Sequence, residues 1–384
     1  MLYTTGSDGR LSAAMRPFLA GPLPPAHLAW EPLIGAIGRA NRALARYDGV
    51  LHSVPGPLVL LAPLTTEEAV LSSKIEGTQA TLGDVLKFEA GEEPEQEARR
   101  ADINEILNYR KALRTAESEL KRRPFSASML CGLHAILLDG VRGHDRAKGR
   151  FRKTQNWIGP EGAPIEQAVF VPPEPTTVQG HMDAWEAYYR STERDPLVQL
   201  AIVHAQFEII HPFDDGNGRM GRILVPIFLF EKQLLQRPMF YLSAWLDAHR
   251  DEYVAGLRAL GPDADAWTRW CAFFLRGIEE QSAVNEAKAR AILELYSRLK
   301  SRVLELTHSQ FAVPLLDQMF QRPIFQSQHL KFRPQEPSRP AVANLLRKLR
   351  DDGILKPLRE SAGRRGAVYV FPELLNLCEG KTVF

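Results

Sequence analysis

The sequence predicts a mostly α-helical protein, interrupted by one extended segment and closed by a small basic module. Three observations carry that expectation. Apolar residues recur at helical spacing through most of the chain. One middle stretch, RGHDRAKGRFRKTQNWIGPEGAPIEQAVFVPPEP, breaks that spacing with alternation, glycine and proline. Near residue 285 the texture changes to a charged amphipathic run, NEAKARAILELYSRLKSRVLEL. With 384 residues and 45% hydrophobic content, the chain is long enough for two or three domains with packed cores. Its charged fraction, 24%, is that of an ordinary globular protein and argues against wholesale disorder.

Taken in order, the first thirty residues are rich in glycine and proline and read as an irregular lead-in. Residues 33–47 have helical apolar spacing, and Pro55, Gly56 and Pro57 then make a turn. Thr65 and Thr66 followed by Glu67 and Glu68 predict a capped helix start, with acids in the first turn. The polar patch GEEPEQEARR predicts a loop before a helix over 103–120, and SASMLCGLHAILLDG predicts another after Pro124. The non-helical stretch that follows predicts a β-hairpin or extended flap. PLVQLAIVHAQFEII predicts a buried helix that stops at His211, because Pro212 disfavours helix in the residue before it. A second apolar helix is expected from about Arg219. In the last hundred residues, SRPAVANLLRKLRDDG predicts a capped basic helix, and LKPLRESAGRRGAVYVF a two-stranded wing turning at residues 363–366. The expected division is 1–115, 116–284 and 285–384.

The formal net charge is only +2, but residues 285–384 hold 17 Lys and Arg against 10 Asp and Glu, so that part carries +7 and the rest −5. The asymmetry points to an acidic partner for the C-terminal part alone. Cys131, Cys271 and Cys378 are far apart and form no CxxC pair, which excludes a disulfide framework and a zinc knuckle. The N-terminus lacks a basic start followed by an apolar core, and the longest strongly apolar run, residues 223–230, is too short to cross a bilayer. A cytoplasmic protein with no membrane contact is the expectation.

The segment HPFDDGNGRMGR, residues 211–222, concentrates the chemistry. A helix end, a two-glycine loop and a new helix make an anion site, since backbone N–H groups point at a phosphate with a favourable dipole. Arg219 and Arg222, three apart, face one side and can grip a polyphosphate. A carboxylate of Asp214 or Asp215 can hold Mg²⁺, and His211 is the one side chain nearby that accepts a proton near neutral pH. Each element has a plain alternative: a capping histidine, an ordinary Asp/Asn/Gly turn, a solvated arginine face. Their joint occurrence in one order favours the functional reading.

That segment resembles the signature of the Fic family, HPFx[D/E]GNGRxxR, at every defined position, and the likeness extends to SSKIEGT at residues 72–78, to residues 133–159 and to residues 240–253. The chain is similar above all to Fic proteins with an inhibitory helix N-terminal to the core. The resemblance implies a helical Fic (Fido) core with a β-hairpin flap and an appended winged helix. It implies transfer of AMP from ATP, with Mg²⁺, to a Tyr, Thr or Ser hydroxyl of a target protein, the chain itself included. His211 would be the general base and Phe213 a core anchor. Asp215 would hold the metal. Gly216, Asn217, Gly218, Met220 and Gly221 would line the phosphate cradle. Arg219 would bind the phosphate tail and Arg222 the γ-phosphate, with Tyr253 assigned to the adenine pocket. Residues 72–77 fit the inhibitory pattern [S/T]xxxE[G/N], so Ser72, Glu76 and Gly77 would form a brake, with Glu76 paired bidentately to Arg222. The flap, roughly residues 164–171, would take an extended target segment by strand addition.

Two other functions stay open on the same residues. One is a related activity on that scaffold, such as removal of AMP or transfer of another nucleotidyl or phosphoryl group. The other is a DNA-binding regulator whose core only senses nucleotide. Duplex DNA is expected as a partner of the helix and wing around residues 338–366, with Arg364 and Arg365 at the wing tip, and a homodimer is also compatible with the sequence.

Overall fold

The computed structural model describes residues 4–6, 17–54, 56–141, 147–159, 164–261, 264–332, 336–361 and 366–384. Strand β1 (Thr4–Gly6) precedes helices α1 (Ile34–Ser53), α2 (Pro57–Leu60), α3 (Ala62–Ile75), α4 (Leu82–Glu89), α5 (Glu97–Leu120) and α6 (Ala127–Leu137). Strand β2 (Trp157–Gly159) opens the extended segment. Then come α7 (Val178–Arg190), α8 (Pro196–Ile210), α9 (Asn217–Glu231), α10 (Ser243–Ala248), α11 (Arg250–Ala259) and the long α12 (Ala264–Thr307). The chain closes with α13 (Ala312–Gln321), β3 (Ile324–Gln326), α14 (Arg339–Asp351), β4 (Lys356–Arg359), β5 (Val368–Val370) and α15 (Pro372–Glu379). The fold is mostly helical with small antiparallel sheets, as the spacing of apolar residues predicts.

The chain divides into two compact units, each discontinuous in sequence: residues 1–48, 71–79 and 104–283 form one, and 49–70, 80–103 and 284–384 the other. The first is built around α8 and α9. Leu200, Ile202, Val203, Phe207, Ile223, Leu224, Ile227 and Phe228 are fully buried, so both helices are apolar on nearly every face and serve as the core itself. Trp185 of α7 and Trp270 of α12 complete that core, each donating its indole N–H to a carbonyl of α8 at 2.8 Å.

In the second unit, β3 and β4 flank β5 in an antiparallel sheet, and Leu345, Leu346 and Leu349 form the buried stripe of α14. Ser338 caps α14 and Gly353 ends it at φ +80°, both as the sequence predicts. Lys288 joins Glu67 at 2.7 Å and also donates to the Cys378 carbonyl. The expected wing-tip residues Arg364 and Arg365 lie outside the described residues.

Two expectations shift. The helix expected to open at Thr65 begins at Ala62 instead; Pro63 is tolerated in a first turn, and Thr66 bonds back to the Ala62 carbonyl rather than capping. The flap pairs more widely than a hairpin alone. Among the described residues Ile158 of β2 bridges Phe170, residues 165–167 form a 3₁₀ turn, and β2 also pairs with β1.

Candidate active site

The site grows from the junction of α8 and α9. Helix α8 stops at Ile210, and His211 takes the left-handed conformation at φ 48° and ψ 59°. For a residue with a β-carbon that geometry costs on the order of 1–3 kcal/mol and must be held from outside. Arg152 supplies the hold: its Nε donates to the His211 carbonyl at 2.9 Å, and its terminal nitrogens to the carbonyls of Pro173 (2.5 Å), Ile210 (3.3 Å) and Thr154 (3.3 Å). Burial lowers the Arg152 pKa to about 10, so it remains a cation.

Burial, with the Arg152 charge adding, lowers His211 to about 4, which leaves the ring neutral at physiological pH. Its Nδ1 lies 3.4 Å from the Glu208 carbonyl, a partner that only N–H can satisfy; Nε2 then carries the free lone pair. His211 can therefore accept a proton.

The loop after it is rigid. Asn217 is bonded twice to the backbone of Phe213, accepting from its N–H at 2.9 Å and donating to its carbonyl at 2.8 Å. Its side chain is thus committed to the loop, and what it offers a phosphate is its backbone. Phe213 is fully buried and stacks on His134 at 3.8 Å. His134 accepts from Gly149 N–H at 2.9 Å and donates to the Asp215 carbonyl at 2.9 Å. Asn156 adds a bond to the Phe213 carbonyl at 3.0 Å.

Both arginines of α9 are buried and held by carboxylates from distant segments. Arg219 donates to Glu105 of α5 at 2.8 Å and lies 3.7 Å from Asp215. Arg222 donates Nε to Ser72 Oγ at 2.8 Å, and its Nη2 to the Ser72 carbonyl at 2.9 Å and Glu76 Oε1 at 2.5 Å. The expected bidentate carboxylate pair is therefore a one-oxygen contact, because Ser72 takes Nε–H and the second N–H of Nη2, the edge that a carboxylate would bridge. Gly218 makes the approach feasible, since a β-carbon there would run into the Glu76 carboxylate.

Glu76 is the first residue past α3, at the helix's C-cap. Gly77 N–H bonds to the Lys74 carbonyl at 2.9 Å and Thr78 N–H to the Ser73 carbonyl at 3.2 Å, a Schellman closure that needs the left-handed Gly77 at φ +105°. Burial acts to raise the Glu76 carboxyl, but the Arg222 charge and hydrogen bond, with Arg219 and His211 adding, hold it below the usual carboxylate range.

Other members of the site are unmarked in the sequence. Glu208, one turn before His211, faces Arg222; burial pushes its carboxyl up to about 7, with Arg222 opposing and Glu76 adding. Its Oε1 has no hydrogen-bond partner. A β-carbon at Gly221 would strike it. The Met220 side chain is buried in the core. Tyr253, expected at the adenine pocket, donates its hydroxyl to His204 Nε2 at 2.9 Å, while His204 Nδ1 donates to the Gly221 carbonyl at 3.1 Å.

Asp215 is about a third exposed (34%). Its Oδ1 accepts from Gly216 N–H at 2.6 Å. Oδ2 takes no part in these contacts, and one hard oxygen beside bound phosphates is a usual seat for Mg²⁺. Among the described residues no group of three His, Cys, Asp or Glu gathers as an all-protein metal cage. No helix of the described residues is long and apolar enough to cross a membrane.

Residues 34–118 match the family model described as Fic/DOC family N-terminal, and residues 124–229 the Fic/DOC family model. A probable protein adenylyltransferase of Aquifex aeolicus is 29% identical over 202 residues, which covers 51% of this chain and 54% of that one. A Fido domain-containing protein of Dictyostelium discoideum is 36% identical over 94 residues, 24% of this chain and 62% of that protein. Protein adenylyltransferase Fic of Nematostella vectensis is 29% identical over 131 residues, 33% of this chain and 28% of that one. The chain thus spans from 28% to 62% of the length of these relatives. Two solved structures share the fold. A Fic family protein from Desulfovibrio desulfuricans aligns with a TM-score of 0.56 at 21% identity, covering 91% of this chain and 98% of that one. A Fic domain containing signaling protein from Bacteroides thetaiotaomicron aligns at 0.51 and 18% identity, covering 66% and 97%.

Proposed function

The chain belongs to the Fic/DOC family over residues 34–229, and from that premise we propose that it transfers AMP from ATP to a hydroxyl side chain of a protein, restrained by Glu76. The observation that carries this reading is the neutral, backbone-clamped His211 beside a glycine-rich helix start with two buried arginines. A nucleotide sensor needs the phosphate cradle but has no task for such a base.

His211 Nε2 takes the proton of the target hydroxyl as its oxygen attacks the α-phosphorus of ATP. The bond from that phosphorus to the bridging oxygen breaks, and pyrophosphate leaves. Arg219 and Arg222 neutralise the phosphate charge, and the first N–H groups of α9 face the phosphate oxygens. Asp215 would hold Mg²⁺, whose contribution is charge neutralisation across the phosphates. The flap aligns the target as an added strand.

In this reading Ser72, Glu76 and Gly77 form a brake: Glu76 occupies the place of the γ-phosphate on Arg222 until α3 lets go. Aquifex and Nematostella relatives named as adenylyltransferases support the reaction class. The setting proposed is the cytoplasm, where ATP is available and the three free cysteines stay reduced. The test is incubation of wild type and Glu76→Gly with labelled ATP, Mg²⁺ and a cell lysate. Protein-bound label from Glu76→Gly supports transfer, and its absence in both, with ATP bound, overturns it.

For the C-terminal part we propose a winged helix that contacts duplex DNA. Exposed Arg339, Arg347 and Arg350 on α14, next to a three-stranded sheet, favour it. Gel-shift titration at low salt tests that interaction.

A further inference from the structure

The flap carries a feature that the transfer reading does not use. Strand β1 lies antiparallel on β2, with Thr4 opposite Gly159, Thr5 opposite Ile158 and Gly6 opposite Trp157. Ile158 spends both its peptide groups on the other side: its N–H donates to the Phe170 carbonyl at 2.8 Å, and its carbonyl accepts from Val169 at 2.7 Å and Phe170 at 3.1 Å. Peptide groups alternate edges along a strand, so those of Trp157 and Gly159 face β1. Further along the same lead-in, Phe18 N–H donates to the Val171 carbonyl at 2.9 Å, and its ring lies 5.5 Å from that of Phe170. The lead-in therefore meets both arms of the flap.

The flap is a firm platform for this contact. Trp157, Ile165 and Val171 form a small buried cluster with Ala168 against it. Asn156, the residue before β2, donates to the Phe213 carbonyl two positions after His211. A strand on β2 is thus referenced to the loop that bears the base.

We propose that residues 4–6 of this chain are the resident occupant of the seat on the outer edge of β2 where a target segment would add, an intramolecular competitor of protein targets. This rests on the transfer reading for the meaning of the seat, though not for its existence. Recognition runs through backbone hydrogen bonds, so the displaced and displacing segments share extended geometry rather than sequence. A tethered occupant holds its seat at a high effective concentration, and a free segment must outcompete it.

The test uses the full-length chain. Thr4→Pro with Gly6→Pro removes the two N–H donors that β1 turns toward β2. The probe is a fluorescein-labelled peptide of residues 1–8, MLYTTGSD, followed by anisotropy. The doubly substituted chain is expected to bind it at least tenfold more tightly than wild type, and a peptide carrying the same two prolines is expected not to bind. Equal affinity for both chains, or binding to neither, overturns the proposal. In the Glu76→Gly background the same two prolines are expected to raise labelling of lysate proteins several-fold; no change there also counts against the occupant. If Glu76→Gly labels nothing with or without them, the transfer reading fails while the anisotropy result still judges the seat.

Discussion

Arg219 and Arg222 on α9 and Arg347 and Arg350 on α14 have the same spacing and the same chemistry, but their surroundings differ. The first two side chains are 6% and 4% exposed, each gripped by a carboxylate far away in sequence. The other two are 60% and 41% exposed and meet Asp351 on their own helix, with Asn344 on Arg347. A buried guanidinium stripped of its anion costs about 3–5 kcal/mol. An exposed one loses at most about 1 kcal/mol with its partner. The α9 pair must therefore always hold an anion, whether a protein carboxylate or a polyphosphate, and this necessity is what makes a competitive brake workable. The α14 pair is under no such constraint and can serve only in surface contacts.

The strongest way to break this contrast is to remove the group that the buried pair is proposed to serve. His211→Ala in the Glu76→Gly background is expected to lower transfer by about 10²–10⁴-fold, the usual range for a general base. ATP affinity by calorimetry should be nearly unchanged, because the arginines remain. Equal loss of both would make His211 a structural residue.

Second in size is Glu76→Gly alone. Labelling by radioactive ATP is expected to rise tenfold or more over wild type, which corresponds to about 1.4 kcal/mol less competition for Arg222. The melting temperature should stay close to wild type once ATP is present. A variant that melts early and labels nothing would mean that the pair is there for the fold.

The pH profile sharpens the picture further. His211 titrates at about 4 when folded, against about 6.5 in an open chain. Its contribution to rate should hold steady from pH 8 to pH 6, with the acid limb of Glu76→Gly falling well below 6.5. The sign for stability is the same: the unfolded ring takes a proton that the folded one refuses, so this contribution is full above 6.5 and is lost as pH falls through 4. An acid limb at 6.5 in the rate would identify a different base.

The smallest effect belongs to α14. Arg347→Ala with Arg350→Ala should change stability by no more than about 0.5 kcal/mol and leave transfer untouched. It should flatten the salt dependence of duplex binding. A large loss of stability would show that the exposed pair resembles the buried one after all.

Much of this was legible in the sequence, for identifiable reasons. Pro212 fixed where α8 stops, and the glycine spacing after it gave the turn into α9, because both act through local backbone sterics. Residues 72–77 pointed to Arg222 through the family pattern, yet the share taken by Ser72 was hidden, since a serine oxygen in a helix has many candidate partners. Arg152, Asn156, His134 and Glu208 gave no signal: their roles are bonds to backbone or proximity across 57–81 residues (Arg152, Asn156, His134) or burial (Glu208), none of which alters a local pattern. The pairing of β1 with β2 gave no signal for the same reason, as that partner comes from about 150 residues upstream.

The Schellman closure at the end of α3 would set a clock on the proposed brake. A helix end carries partial negative charge, which disfavours a carboxylate there by roughly 0.3–1 kcal/mol, so Glu76 stays only because Arg222 faces it. When that contact opens, the last turn loses its reason to remain wound, and the two amide bonds of Gly77 and Thr78 are what must fray. Fraying of one turn is a local event that leaves the core intact. The amide exchange of Gly77 and Thr78 should therefore run in step with the rate of label transfer, so that the opening of one helical turn, rather than unfolding of the protein, would keep time for the proposed reaction.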